Sequence, residues 1–566
     1  MRLTPPDYFE PIRQGAERRW QQLEADPELA GPWHQLFKQV QSPRHVLSEL
    51  LQNADDAGAT EASARVDNGV FEFTHNGEDF QPDHFASLCR FGYSNKRSLH
   101  TIGFRGIGFK STFSLGPVVG IRTPSLSVYF EKDRFTLPCW YDQDGSESSS
   151  TRIIVKIQDD LRQAELAKNL REWKQSPVSL LFFRNIRSLT LDSRQLFWQS
   201  NGTGPIQNSE WYVLRDSAVA NLFLDESDKE EAPVLLVRSE AEEFPEDCIT
   251  EIRQERILGA DSDFSLPASR VELVLGASAG IYVVLPTAVK PDLPFACNGP
   301  FMQDPARVKI KDPETSPTNR WLLSRVGKLA ASCMCNWLAN QSLEITSRAE
   351  AYRLLPKAGI KDKSKASIVV SGRGGVESEC VDEVSNSFFT YIQYQRIVLA
   401  HDGAVEASGA CIALDKQIQD IWDAATFGQE IDPKGRKQIC HKITANTADL
   451  LHRMGQIDKV NRSQFCRFLQ ETNPPHPGED KLLLLWIYIA GEFTKDIHVI
   501  DDIAIVPIAD QDHLFPPRSA VRLGTSKAQL NELDVKWLSE HILFVDRLAR
   551  IPCRAGYRLC AATRKI

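Results

Sequence analysis

The sequence predicts an α/β protein: an N-terminal α/β sandwich, an α/β middle domain, and helix-rich α+β modules towards the C-terminus. Three observations carry this. An amphipathic helical pattern ends at Gly58 and is followed at once by short β-like runs. A glycine-rich region, 92–120, separates those runs from further strands. Beyond residue 159, helical stretches alternate with apolar β-rich segments until helices dominate the last part.

Taken in order, residues 8–40 read as helical, with Trp20, Leu23, Trp33, Leu36, Phe37 and Val40 as an apolar stripe broken near Gly31-Pro32. Ser42-Pro43 is a cap followed by proline in the first turn, and starts a helix that runs to Ala57. Strands are expected over 62–66, 70–73, 118–123, 127–130 and, after a Ser-rich turn at 142–150, over 152–157. This alternation suggests one sheet covered by helices on one face. A helix over 159–174 leads to β-rich segments at 179–183, 188–191, 232–238, 271–275 and 280–286, then a helix over 319–340. The expected division is 1–160, 161–345, a polar hinge at 346–380, and 381–566. In the last part, 397–414 resembles 505–523 as strand, acidic turn and strand, with helices between (416–426, 435–454, 462–471, 480–493). The chain ends soon after the second copy with no obvious cap, as an N-terminal piece of something longer would.

Composition excludes several classes. Apolar residues make up 42% and charged residues 25%, as in ordinary globular proteins. The net charge of −9 disfavours a general nucleic-acid binder, which needs a Lys/Arg excess. The one basic run, 357–373, reads as a solvated interdomain loop. The 12 cysteines include no CxxC pair, and Cys333 and Cys335 stand too close for two legs of a zinc site. They read as buried, reduced thiols of a cytoplasmic protein. The polar N-terminus lacks a signal-peptide core, and the apolar run 482–491 is too short to span a bilayer, so no membrane association is expected.

The chemistry starts in the helix ending at Ala57. At helical spacing, Glu49, Asn53 and Asp56 share one face, opposite Leu47, Leu50, Leu51, Ala54 and Ala57. Asn53 offers a neutral oxygen to a hard cation, and Glu49 one turn away can orient or deprotonate water. Taken alone, the pattern reads more simply as a helix with a polar outer face. Downstream, however, a strand ends in His75-Asn76-Gly77-Glu78-Asp79, and Ser94 and Lys96 follow Gly92. Then come Gly103, Arg105, Gly106, Ile107, Gly108, Phe109, Lys110 and Ser111. These glycines let backbone N–H groups approach an anion, and a helix beginning near Phe109 would aim its positive end at the same place.

In this order and spacing the segments resemble the GHKL (Bergerat-fold) ATPases: gyrase, the ninety-kilodalton heat-shock chaperones, histidine kinases and mismatch-repair ATPases. The branch of sacsin and the plant NO VEIN protein looks closest. The resemblance covers 42–157 and implies an α/β-sandwich domain that binds ATP and Mg²⁺. It makes Glu49 the water-activating base and Asn53 the Mg²⁺ ligand, with Asp56 completing the helix motif. The stretch 103–111 becomes the lid hinge that wraps the phosphates, with Ser94 and Lys96 nearby. Thr151 opens the strand beside the adenine. One departure stands out: where the family reads adenine with DxGxG, the acid is His75 and the second glycine is Asp79. A neutral imidazole discriminates less strictly than a carboxylate. ATP is therefore expected to be preferred by a narrower margin, with Asn76 able to share the task, Asp79 as the alternative reader, and affinity falling as pH drops through about 6.5. Beyond 160 the resemblance thins. Arg307, with Lys309 and Lys311 at alternate positions, is a candidate to reach the γ-phosphate, although a solvated strand face is the simpler reading.

The expected function is a slow ATP hydrolase that works as a conformational machine, chaperone-like or effector-controlling, with bacterial defence as one setting by analogy. A protein partner or client is expected, and a homodimer is compatible. The first rival is a nucleotide-binding switch without real turnover, favoured by His75 and disfavoured by retention of Glu49 and Asn53. A histidine kinase would need a phospho-acceptor further upstream than His34 or His45. A DNA clamp conflicts with the acidic balance.

Overall fold

The computed structural model describes residues 3–26, 28, 43–90, 108–141, 149–175, 177–218, 232–255, 266–304, 308–357, 375–490, 502–507 and 512–516. Among them, no helix is long and apolar enough to cross a membrane. They fall into two compact units. One lies within Met1–Cys333, Arg353–Gly359 and Val370–Tyr391, the other within Met334–Tyr352, Ile360–Val369 and Ile392–Ile566.

The first unit is α/β, built on a large mixed sheet. Its strands in chain order are β1 (Glu61–Asp67), β2 (Val70–His75), β3 (Val118–Arg122), β4 (Ser127–Glu131), β5 (Pro138–Trp140), β6 (Thr151–Lys156), β7 (Ser188–Leu191), β8 (Arg194–Thr203) and β9 (Ser209–Ala218). They continue with β10 (Val234–Arg238), β11 (Glu272–Leu275), β12 (Gly280–Val283), β13 (Leu285–Pro286) and β14 (Phe295–Asn298). The spatial order is β13-β12-β14-β11-β10-β9-β8-β7-β1-β2-β6-β3-β4-β5. The sheet is continuous across residue 160, because β7 pairs in parallel with β1.

Period-2 patterning gives the N-terminal strands one buried face. Ala62 and Ala64 stand opposite His75 and Phe73; Phe71, Phe73 and His75 stand opposite Val155, Ile153 and Thr151. Val119 and Ile121 extend the row to Phe130 and Val128. Residues directly opposite each other point to the same side, so these form one apolar surface. The β1–β2 hairpin closes on Asn68-Gly69, both at positive φ (49° and 74°), the pairing that matches the twist of the strands.

Three helices cover that face: Phe9–Ala25, Pro43–Asp56 and Asp160–Gln175. Phe9, Ala16 and Trp20 of the first, Val46, Leu47, Leu50, Leu51 and Ala54 of the second, and Leu166, Leu170 and Trp173 of the third join Phe71, Phe73, Ile153 and Val155 in one core. Each fully buried Leu or Phe contributes about 1.5–3 kcal/mol. Trp20 also donates its indole N–H to Thr136 Oγ1 at 2.8 Å. The helix expected over 8–40 is present over Phe9–Ala25, and its second half lies outside the described residues.

The structure departs from the expected strands in two places. The run 179–183, expected as a strand, sits on the 3₁₀ turn Pro177–Leu181. Leu180 and Phe183 point into the helix-side core, while Val178, Leu181 and Phe182 pack against Leu236, Val274 and Tyr282 of the middle strands. A short segment buried on all sides carries no period, so its apolar run resembles a strand. The long β8–β9 hairpin was not expected at all. Most of β8 is exposed or half-buried, so the alternation that marks a strand is missing. The helix expected to begin near Phe109 is present as the 3₁₀ helix Gly108–Ser114.

Residues 341–357, polar in sequence, contain a short helix (Ile345–Ala349) and a 3₁₀ turn (Glu350–Leu354), with Ala351 and Leu354 buried. In the second unit a parallel sheet joins Lys437–Gln438, Cys411–Leu414 and Ile457–Val460. The helices Arg462–Glu471 and Glu479–Ala490 pack their apolar faces on its core. Val398–Leu399 pairs antiparallel with Val405–Glu406, and Val506–Pro507 with Leu514–Phe515. Both similar segments thus contain a short strand pair, with residues 508–511 of the second lying outside the described residues.

Candidate functional site

The helix Pro43–Asp56 presents its predicted site residues along one flank. Glu49 and Asn53 are half-buried and Asp56 is exposed, while Leu47, Leu50, Leu51 and Ala54 are sunk in the core. The helix is fixed at its C-terminal end by Asp55, which the sequence reading did not single out. Its carboxylate accepts from the backbone N–H groups of Arg184, Asn185 and Ile186 at 3.2, 2.7 and 3.0 Å. The available signal was spacing: Leu47, Leu51 and Asp55 recur every fourth residue along the buried stripe. An acid there needs donors to offset its burial.

The turn after β2 docks on the same helix end. Glu78 N donates to Ala57 O at 2.8 Å. A Cβ on Gly77 would lie 2.8 Å from Ala57 O and 3.0 Å from His75 Nδ1, so the approach requires glycine. Asn76 holds the turn from the other side. Its Oδ1 accepts from Thr60 N and Glu61 N at 2.9 and 3.0 Å, and its Nδ2 donates to Thr60 Oγ1 at 2.8 Å. This corrects the expectation that Asn76 reads the base: its amide is committed to the turn. Asp79 is half-buried, and its carboxylate accepts from Phe80 N at 2.7 Å.

His75 and Thr151 meet at the end of the buried face, directly opposite each other in the β2–β6 ladder. They are the polar pair in a row otherwise made of Ala, Val, Ile and Phe. His75 is 8% exposed, and its Nδ1 accepts from Gly77 N at 3.2 Å. Burial pushes the imidazole down to about 4. The pH dependence near 6.5 expected from the sequence is therefore corrected: the ring is neutral throughout the neutral range. Thr151 is 1% exposed, and its Oγ1 has no hydrogen-bond partner among the described residues.

At the end of the glycine-rich stretch, the 3₁₀ helix Gly108–Ser114 packs against the helix bearing Glu49 and Asn53. Phe109 is in the core, its ring 5.9 Å from that of Phe130. Ser111 is buried, and its Oγ lacks a partner among the described residues. Lys110 departs from expectation. Its Nζ donates to Leu88 O and Phe135 O, both at 2.8 Å, and lies 5.1 and 5.0 Å from the ring centres of Phe109 and Phe130. Burial pushes the amine down to about 7. In this arrangement Lys110 is an internal tie and does not face a phosphate.

Ser94, Lys96, Gly103, Arg105, Gly106, Ile107 and Arg307 lie outside the described residues. Of the residues grouped with Arg307, Lys311 pairs with the Glu255 carboxylate, which gives it a structural role. All ten cysteines among the described residues are free thiols.

The structure thus brings Glu49 and Asn53 onto the helix-covered side of the sheet whose end carries His75, Thr151 and the Gly77 turn. A partial sequence match accompanies this geometry. The chain is similar to human sacsin. Identity is 27% over 116 residues, covering 17% of this chain and 2% of sacsin. The chain therefore spans only a small fraction of that relative's length. No protein-family profile matches the chain.

Proposed function

We propose that the first unit binds a purine nucleoside triphosphate with Mg²⁺ and hydrolyses it slowly to drive a conformational, chaperone-like or effector-controlling cycle. One observation carries this reading. A buried polar pair, His75 and Thr151, with a hydroxyl that has no partner among the described residues, ends an otherwise apolar sheet face on the side covered by the helix bearing Glu49 and Asn53. A buried hydroxyl without a partner costs about 1–3 kcal/mol, and such groups are retained where a ligand completes them. The resemblance to sacsin-like ATPases supports the same assignment, and on its own it implies ATP.

In this reading the His75–Thr151 end holds the base and Asn53 offers its amide oxygen to the metal. Glu49 accepts a proton from the attacking water, as a half-buried carboxylate one helical turn from Asn53 is placed to do. The resemblance assigns the phosphates to the stretch of Gly103, Gly106 and Gly108, with Ser111 following it. Bound Mg²⁺ would neutralise phosphate charge. A switch without turnover is the second reading, favoured by the imidazole in place of the usual acid.

Turnover separates the two. Glu49→Ala should retain nucleotide binding and lose about 10²-fold or more in steady-state phosphate release. An unchanged rate would remove Glu49 from the mechanism, and a wild-type protein that binds but never releases phosphate would establish the switch.

A further inference from the structure

We propose that the His75–Thr151 pair selects a 6-oxopurine nucleotide, guanine- or hypoxanthine-bearing, over adenine. This rests on the nucleotide reading, with residue 75 facing the C6 substituent of the base. The argument is the direction of the hydrogen bonds. His75 Nδ1 accepts from Gly77 N at 3.2 Å, so a neutral ring carries its proton on Nε2. That donor is Gly77's own backbone N–H, and the turn supplying it is rigid. Glu78 N is tied to Ala57 O at 2.8 Å, and the Asn76 amide is tied to Thr60 and Glu61. No side chain could be added at Gly77 to relax it, because Ala57 O would stand 2.8 Å from the new Cβ.

The consequence is a reversed polarity. A carboxylate at position 75 would accept from an amino group, whereas this imidazole offers N–H. Against the adenine amino group, donor meets donor between side chains that are 8% and 1% exposed. Against a C6 carbonyl, the same N–H makes a hydrogen bond. Thr151 completes the complement: its Oγ1 is buried, lacks a partner among the described residues and stands opposite His75. A hydroxyl can accept from the N1–H that a 6-oxopurine carries and adenine lacks. The pair therefore fits an amide-like edge, carbonyl beside N–H. Burial keeps the ring neutral, so this polarity persists across the neutral pH range.

Calorimetric titration of the full chain with Mg²⁺ and ATP, ITP or GTP tests this. ITP isolates the edge in question, since it lacks the 2-amino group of guanine. ITP and GTP should each bind about tenfold or more tightly than ATP. His75→Asp should reverse the order towards ATP. Thr151→Val, which keeps the side-chain shape, should narrow the ITP-to-ATP ratio and serves if the buried aspartate does not fold. ATP binding as tightly as ITP, or more tightly, to the wild type overturns the selectivity and leaves the nucleotide reading standing. If none of the three binds, the nucleotide reading itself fails, and this inference fails with it.

Discussion

Thr151 is the residue at which the proposed ligand role and the stability of the fold make opposite demands. Its hydroxyl is buried and has no partner among the described residues, on a strand whose inward positions otherwise hold Ile153 and Val155. Valine fits the same space, has the higher strand propensity and leaves nothing unpaired. Thr151→Val should therefore raise the thermal midpoint or leave it unchanged, while nucleotide affinity falls about tenfold. Differential scanning calorimetry beside a binding titration checks both arms; a clear loss of stability with unchanged affinity would make Thr151 structural. At this scale the sequence was legible in part. The family resemblance pointed to both His75 and Thr151, but not to the tautomer of the ring, which depends on where Gly77 directs its N–H. Lys110 was misjudged for a similar reason. It stands between Phe109 and Ser111 just after a glycine-rich stretch, whereas its acceptors belong to Leu88 and Phe135, which only the fold brings near.

Between elements, the critical junction lies where the helix Pro43–Asp56 ends against the turn after β2. Ala57 O accepts from Glu78 N, Asp55 anchors the segment 184–186, and Asn76 fastens the turn to the start of β1. Gly77 lies at the tightest point. Gly77→Val should push the turn away from Ala57, lower stability by about 1–3 kcal/mol and weaken nucleotide binding more than Gly77→Ala does. Circular dichroism melts and titrations of both variants measure this, and wild-type affinity in Gly77→Val would show that the turn is not part of the site. The helix and the hairpin were readable beforehand, because an amphipathic stripe ending at Gly58 and the Asn68-Gly69 turn are local signals. The β8–β9 hairpin and the 3₁₀ turn Pro177–Leu181 were not. Their burial is set by distant packing, which erases the period on which a sequence reading relies.

Across the whole chain, the sheet of the first unit does not divide where the composition changes. Pairing of β7 with β1, and of β8 and β9 onward to β10, joins the strands under the candidate site to the middle strands in a single ladder. The order of elements was visible from residue types, but strand order was not, since β7 returns beside β1 across about a third of the first unit's sequence. The central claim concerns one place on that sheet: the face bounded by Asn53, His75 and Thr151 holds a metal-bound nucleotide. Equilibrium titration of the full chain with ATP, ITP and GTP, with Mg²⁺ and again with EDTA, tests it most directly when wild type, Glu49→Ala and Asn53→Ala are run together. The account predicts saturable binding of at least one triphosphate that requires Mg²⁺, survives Glu49→Ala and weakens about tenfold or more in Asn53→Ala. Binding that ignores Mg²⁺ and is the same in Asn53→Ala, or no binding of any triphosphate, would contradict it.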